Sequence, residues 1–367
     1  MEFKYTTKQL LELQNRPLEE QYNTAVTRII DAIKVTLGDI MVSFSGGKDS
    51  ALLLDMYCEI ASKLFGIKDV FVGYADTTNE TKSMRQYVPW FVDRCEKKYG
   101  VKIHITTTRP KNNVTFASVV KEKGIPFISK QTAGMIRKTK ESMKAAGIPY
   151  DDVIKLAKPT ISARDALLDM GFSNSAILAL TGWSRPKNDF GKAFTLAKQW
   201  LPLLNCDIPL TERCCSILKE EPLAMLGYKN VMTGEQANES KNRENEWLKN
   251  GCNYYIPSGG YKSKPFGSLS AQAILYSIHY RKIPLSPDYG EVICCGDCFK
   301  CTKASRTGCA LCGFGIKFNP DRFVRLQETE PAKIAWAFKP RAEGGAGYRE
   351  LCEYSNEYCG TKILIPR

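Results

Sequence analysis

Apolar and polar positions recur along this chain with periods that outline its elements before any chemistry is considered. Residues 6–14 read as a short helix. Pro17 is expected as the first residue of a second helix, with Glu19 and Glu20 in its first turn. Tyr22, Val26, Ile29, Ile33 and Leu37 follow at helical spacing, and Gly38 is the stop. Residues 40–44 form a short apolar run before a glycine pair, the mark of a buried strand. Residues 51–64 are apolar over helical length with no breaker, and Gly66 ends them. Residues 70–75 are a second strand; a helix follows to Tyr99, with Pro89 an expected kink and Gly100 the stop. Residues 101–105 are a third strand. Strand, helix, strand, helix, strand at this spacing predicts an α/β fold, a doubly wound parallel sheet with ligands bound at the carboxyl ends of its strands.

Further on the pattern changes. Residues 125–130 are a short apolar run ending in Lys130. Residues 130–198 are helical in flavour and basic, with 12 Lys/Arg against 6 Asp/Glu. Arg137, Lys138, Lys140 and Lys144 fall on one predicted helix, which reads either as a solvated face or as a nucleic-acid contact. Ser268 or Ser270 can cap a helix running to about Arg281, and residues 283–287 form a rigid connector. Beyond it cysteines and glycines become frequent. The expected organisation is N-terminal helices over 1–38, a nucleotide-binding domain over 39–290 with a basic helical insertion at about 131–205, and a Cys-rich region over 291–367.

Composition narrows the class. The 367 residues are 43% hydrophobic and 25% charged, as in ordinary soluble globular proteins. No apolar run is long enough for a membrane span, and the N-terminus lacks a signal-peptide core, so a cytoplasmic protein is expected. The net charge of +13, 52 basic against 39 acidic residues, favours a polyanionic partner or substrate. Fourteen cysteines in such a chain suggest metal or redox chemistry rather than disulfides. His104 and His279 are expected in structural roles.

The candidate chemistry starts at Ser45, Gly46, Gly47, Lys48, Asp49 and Ser50, between the first strand and its helix. There, turn N–H groups and the positive end of the helix dipole converge on a phosphate or sulfate site. The glycines let the backbone close around the anion, Lys48 adds charge, and Ser45 and Ser50 add hydroxyl donors. Asp76 and Glu80, just past the second strand, would help place a nucleotide. Cys214 and Cys215 are adjacent; Cys294, Cys295, Cys298, Cys301, Cys309 and Cys312 follow. Cys-x-x-Cys pairs bring two thiolates to one metal, and two pairs suit zinc or an iron–sulfur cluster. The spacing leaves two schemes open. One is a compact zinc ribbon of Cys295/Cys298 with Cys309/Cys312. The other joins Cys214 and Cys215 to Cys309 and Cys312, leaving Cys294, Cys295, Cys298 and Cys301 as a second site.

The Ser-Gly-Gly-Lys-Asp-Ser run resembles the PP-loop of ATP pyrophosphatases and sulfonucleotide reductases. Four stretches together resemble the phosphoadenylyl-sulfate (PAPS) reductase family, in particular its stand-alone branch common in phages and mobile elements. They are residues 45–50, the Cys214-Cys215 stretch with Lys219 and Pro222-Leu223, residues 233–243, and residues 306–315. Residues 128–130 are a weaker fifth. The resemblance implies an adenine nucleotide alpha-hydrolase-like sheet binding ATP, PAPS or adenylyl sulfate (APS), with Mg2+ a candidate companion of the phosphates. It implies a four-iron four-sulfur cluster on Cys214, Cys215, Cys309 and Cys312, with zinc the alternative. It places Lys130, Lys219, Gly234, Glu239, Ser240 and Arg243 at the nucleotide and anion site, where Lys and Arg neutralise phosphate or sulfate charge. Family reductases attack with a tail cysteine followed by a histidine. Here Cys359-Gly360 stands without that histidine, so Cys359 is only a candidate nucleophile. The expected function is ATP-dependent sulfur transfer to an adenylated acceptor, which needs a sulfur donor. Sulfonucleotide reduction, which needs a thiol reductant, is the alternative. A nucleic-acid-binding accessory protein with a structural zinc site is the non-enzyme alternative.

Overall fold

The computed structural model describes residues 3–183 and 195–367. Its strands, in chain order, are β1 (Met41–Ser43), β2 (Asp69–Ala75), β3 (Lys102–Thr108), β4 (Phe127–Ile128), β5 (Asn230–Met232), β6 (Asn253–Tyr255), β7 (Tyr261–Ser263), β8 (Val292–Cys295), β9 (Cys298–Cys301) and β10 (Gly313–Phe314). The chain divides into two compact units, Met1–Lys111 with Lys219–Cys309, and Asn112–Leu218 with Ala310–Arg367.

The first unit is the expected α/β layer structure. Its six-stranded sheet has the order β3-β2-β1-β5-β7-β6, parallel except for β6, which pairs antiparallel with β7. Strand order runs outward from β1 to β3 and then resumes on the other side of β1 at β5. Loops leaving β1 and β5 therefore diverge, and a crevice opens between them at the carboxyl ends. The helix Lys48–Phe65 follows β1 and is buried from Ser50 to Cys58, because it packs against the helices Leu18–Thr36, Lys82–Tyr99 and Ala271–Tyr280. Val42, Phe44, Leu52, Leu53, Val72 and Phe91 lie at the centre of this core.

Local signals account for most boundaries. Pro17 is the N-cap rather than the first residue of the helix Leu18–Thr36, one position from expectation. Pro89 lies inside one continuous helix, Lys82–Tyr99. Ser270 caps Ala271–Tyr280 by accepting from Ala273 N–H, whereas Ser268 accepts from Arg28. His104 pairs with Asp69 at 2.7 Å, and His279 Nδ1 lies 3.1 Å from the Val292 carbonyl oxygen.

The second unit is mainly helical, with the short parallel pair β4 and β10. Its core joins Phe127, Ile136, Trp200 and Leu203 to Phe323, Phe338, Tyr348 and Leu351. This corrects the expected domain boundaries. The insertion begins at Asn112 rather than near 131, and the C-terminal helices Arg322–Thr329, Pro331–Phe338 and Tyr348–Cys359 share its core. The N-terminal helices belong to the first unit, and the Cys-rich region is cut at 309/310. Apolar faces distant in sequence find one another, and no local pattern announces that.

The basic cluster is also not one exposed face. Arg137 is bound to Glu212 at 2.5 Å and to Glu141 at 2.8 Å, and Lys140 donates to the Cys206 carbonyl oxygen. Lys138 and Lys144 are exposed. Residues 184–194 of the basic stretch lie outside the described residues. Among the described residues no helix is long and apolar enough to cross a membrane.

Candidate active site

The crevice at the carboxyl ends of β1 and β5 is a cavity of about 360 Å3 in the first unit. One wall is the loop after β1. Gly46 takes φ +75°, a conformation that side chains disfavour, and Gly47 is the N-cap of the helix Lys48–Phe65. Ser50 Oγ donates to the Gly47 carbonyl oxygen at 2.9 Å and accepts from Ser45 N–H at 3.2 Å. The loop is thereby closed on itself before any ligand arrives, and it leads straight into the N-terminus of the helix Lys48–Phe65. Ser45, Gly47, Asp49 and Ser50 line it.

The wall after β5 brings Thr233, Gly234, Glu235, Glu239 and Arg243. Arg243 is paired with Glu239 and, at 3.2 Å, with Glu235. Glu239 also holds Arg306 at 2.8 Å. Two guanidinium groups thus share one carboxylate at the cavity rim. Burial raises the Glu235 carboxyl, but Arg243 and Lys264 outweigh it and hold it below the usual range. Lys219 reaches the cavity from the π turn Ser216–Glu220. Glu80 faces the cavity and accepts from Thr77 N–H at 2.9 Å and from its hydroxyl at 2.5 Å. Asp49 Oδ1 and Thr233 Oγ1 are buried in these walls without a hydrogen-bond partner, as expected where a polar ligand belongs.

Several expected residues are placed otherwise. Lys48 is not in the cavity lining; it pairs with Asp49 Oδ2 at 3.0 Å. It lies near Cys301, whose thiol burial pushes up and the Lys48 charge eases down, with a net upward shift. Ser240 caps the helix Lys241–Asn250 by accepting from Arg243 N–H, so its hydroxyl is used in the fold. Asp76 is bound to Thr78 N–H and Arg109. Its burial favours the neutral form, but these two contacts win and hold it below the usual range. It shapes the loop rather than the cavity wall. Lys130 opens the helix Lys130–Ala146 of the second unit. Tyr289, Arg306 and Thr307 line the cavity and had no assigned role. Arg306 and Thr307 stood inside a recognised motif, whereas Tyr289 carried no signal.

Cys359 is corrected as a nucleophile. It is buried at the end of the helix Tyr348–Cys359, and burial pushes its thiol up to about 11 against the lowering hydrogen bond of Ser355. Such a thiol is protonated at neutral pH and inert. Cys58, Cys95, Cys206, Cys252 and Cys352 are buried as expected for small apolar side chains.

The second four-cysteine set is divided by strand geometry. In the β8–β9 hairpin Cys295 lies opposite Cys298, Cys294 opposite Phe299, and Cys301 opposite Val292. Side chains alternate along a strand, so Cys295 and Cys298 share one face and Cys294 and Cys301 the other. Sequence spacing hides this division. For the first set, Cys309 closes the first unit, with its Sγ 3.6 Å from Thr77 Oγ1 and its residue in the cavity wall. Cys214, Cys215 and Cys312 belong to the second unit. There the fully buried Tyr348 phenol is pushed up by burial and then by Cys312 and Cys214, so one thiol from each pair bears on the same ring. Among the described residues no group of three or more His, Cys, Asp or Glu is placed to hold a metal ion, and no chemical step is assigned to one.

A doubly wound sheet, a glycine loop feeding a helix, and a crevice at the strand-order reversal make the first unit an α/β fold of the kind that takes ligands at the carboxyl ends of its strands. Residues 39–154 match the family model described as Phosphoadenosine phosphosulfate reductase domain. That segment holds the loop and β1 to β3, and it is the part of the chain that is similar to the family. Among solved structures it is similar to the phosphoadenylyl-sulfate reductase of Candida auris in its phosphate complex. Identity is 13%, the TM-score 0.33, and the match covers 78% of this chain and 92% of that one. No curated protein sequence matches the chain.

Proposed function

We propose that this PAPS reductase-like protein is a sulfur-metabolism enzyme that binds ATP in the crevice and transfers sulfur through an adenylated acceptor. The observation that carries this reading is the closed Ser45–Ser50 loop facing Lys219, Arg243 and Arg306 across one cavity. An acceptor oxygen attacks the α-phosphorus and pyrophosphate leaves. A sulfur nucleophile then displaces AMP, which departs with the acceptor oxygen. Loop N–H groups and the cationic wall would stabilise the charge on the departing pyrophosphate. A magnesium ion on the phosphates would find Asp49 Oδ1 at the wall. The buried Cys359, with its thiol pushed up to about 11, favours transfer over reduction, because it is poorly set to attack as the tail thiol of the reductase scheme does. The exposed Lys138 and Lys144 are compatible with a nucleic-acid acceptor.

The test is a thermal-shift comparison of anaerobic protein with ATP, APS and PAPS. A ligand at ~100 times its dissociation constant adds about 2.7 kcal/mol. Stabilisation by ATP above the sulfonucleotides, reduced in Arg243→Ala, is the expected result. Preference for a sulfonucleotide turns the reading to reductase chemistry, and no response to any of the three removes the nucleotide assignment.

A further inference from the structure

Tyr289 stands in the cavity wall and is 2% exposed. Its position is fixed from three sides. The Tyr289 N–H donates to the Ser286 carbonyl oxygen at 2.9 Å, and its own carbonyl accepts from Lys303 N–H at 3.1 Å. The neighbouring Asp288 accepts from Thr81 Oγ1 at 2.6 Å and Ser83 Oγ at 2.5 Å, which ties this loop to the start of the helix Lys82–Tyr99. The ring ends over the phosphate loop: a Cβ built on Gly47 would lie 3.5 Å from the Tyr289 hydroxyl, an ordinary contact distance.

The hydroxyl is polarised in one direction. Thr307 Oγ1 donates to it at 2.6 Å, so the phenol oxygen is the acceptor of that bond. A phenol has one proton to give. Since the Thr307 bond uses the oxygen lone pair, the Tyr289 proton is left to point away from Thr307. No hydrogen bond donated by the Tyr289 hydroxyl occurs among the described residues. A nearly buried donor without an acceptor, held against the glycine loop, is costly unless a ligand supplies the acceptor.

We infer that Tyr289 is an additional anion-binding residue of this site, donating its phenolic hydrogen bond to a non-bridging oxygen of the phosphate or sulfate held over Gly47, with Thr307 as its positioning residue. The inference rests on the reading of the crevice as a phosphate site, and it names a contact that the loop motif does not contain. The ligand class is a tetrahedral oxyanion, free or carried by a nucleotide. Loop N–H groups approach it from the helix end and Tyr289 from the facing wall, so the anion is gripped from both sides.

Binding of ATP, inorganic pyrophosphate and adenosine to wild type, Tyr289→Phe, Thr307→Val and Thr307→Ser tests this by calorimetry. A hydrogen bond to a charged group is worth roughly tenfold or more in affinity. Tyr289→Phe keeps the ring and should weaken ATP and pyrophosphate at least about tenfold while leaving adenosine unchanged. Thr307→Val should weaken the same two ligands less, and Thr307→Ser should restore them. Equal affinity of wild type and Tyr289→Phe for the phosphate ligands overturns the inference alone. Equal weakening of adenosine also overturns it, because the ring would then act by packing. Wild type that binds neither ATP nor pyrophosphate overturns it together with the functional reading.

Discussion

Gly234 rests directly on the main chain of Asp49: a Cβ on residue 234 would lie 2.9 Å from the Asp49 carbonyl oxygen and 3.1 Å from its carbonyl carbon. The turn after β5 and the phosphate loop after β1 are therefore fitted backbone to backbone, and the crevice between them depends on that fit. Neither backbone can yield as a flexible side chain would. Gly234→Ala should cost about 1–3 kcal/mol, the usual range for overpacking. It should also weaken ATP binding, because the loop must shift to admit the methyl group. Urea unfolding together with nucleotide titration checks both. A variant as stable as wild type, with unchanged affinity, would mean the two turns move freely.

Asp55 is fully buried inside a cage of cations. Arg281 reaches it at 2.5 Å, Arg94 at 3.0 Å and Lys98 at 3.2 Å. Burial favours its neutral form, but Arg281 first, then Lys98 and Arg94, outweigh burial and hold the carboxyl below its ordinary value. The sign follows from linkage: stability from Asp55 is complete above the unfolded value of about 3.9 and is lost as pH falls through the lower folded one. Asp55→Asn leaves Arg281 with Glu59 as its remaining carboxylate and takes from Arg94 its carboxylate partner, and should cost about 3–5 kcal/mol at pH 7. Below about pH 4 the gap between wild type and variant should narrow. Thermal melts at pH 7 and pH 3 measure this, and a gap independent of pH would show that the cage does not act through the Asp55 charge.

The Cys359 thiol, raised to about 11 by burial, should resist alkylation at pH 7.5. Cys294 and Cys298 are exposed and should be labelled first. Mass spectrometry of iodoacetamide-treated protein reads the order, and Cys359→Ser should keep full nucleotide binding and turnover. Early labelling of Cys359 with loss of activity would return it to the mechanism.

Metal content tests the expectation of a cluster: iron and acid-labile sulfide in protein purified without oxygen, lost in Cys214→Ser and in Cys312→Ser, is the outcome that would bear it out. Removing the metal by chelation should lower the melting temperature. Colourless protein with stoichiometric zinc would make these cysteines structural instead.

The sequence by itself determined the β1 to β3 run, its helices and the phosphate loop. Each depends on neighbours within a few residues: apolar period, glycine punctuation and caps such as Thr81 and Ser270. It pointed to Gly234, Glu239, Arg243 and Lys219 only through a family resemblance, since nothing local says that residue 234 will touch residue 49. Tertiary structure decided the rest. Parallel strand order placed β5 beside β1 and so made the crevice from residues almost two hundred positions apart. Burial turned Cys359 from a candidate nucleophile into core, and strand alternation divided Cys294 and Cys301 from Cys295 and Cys298. Packing likewise drew the C-terminal helices into the core of the inserted unit and set Tyr289 over Gly47. Local propensity is written in short windows of sequence. Which windows meet is decided by the burial of apolar faces over the whole chain, and the chemistry of this site depends on those meetings.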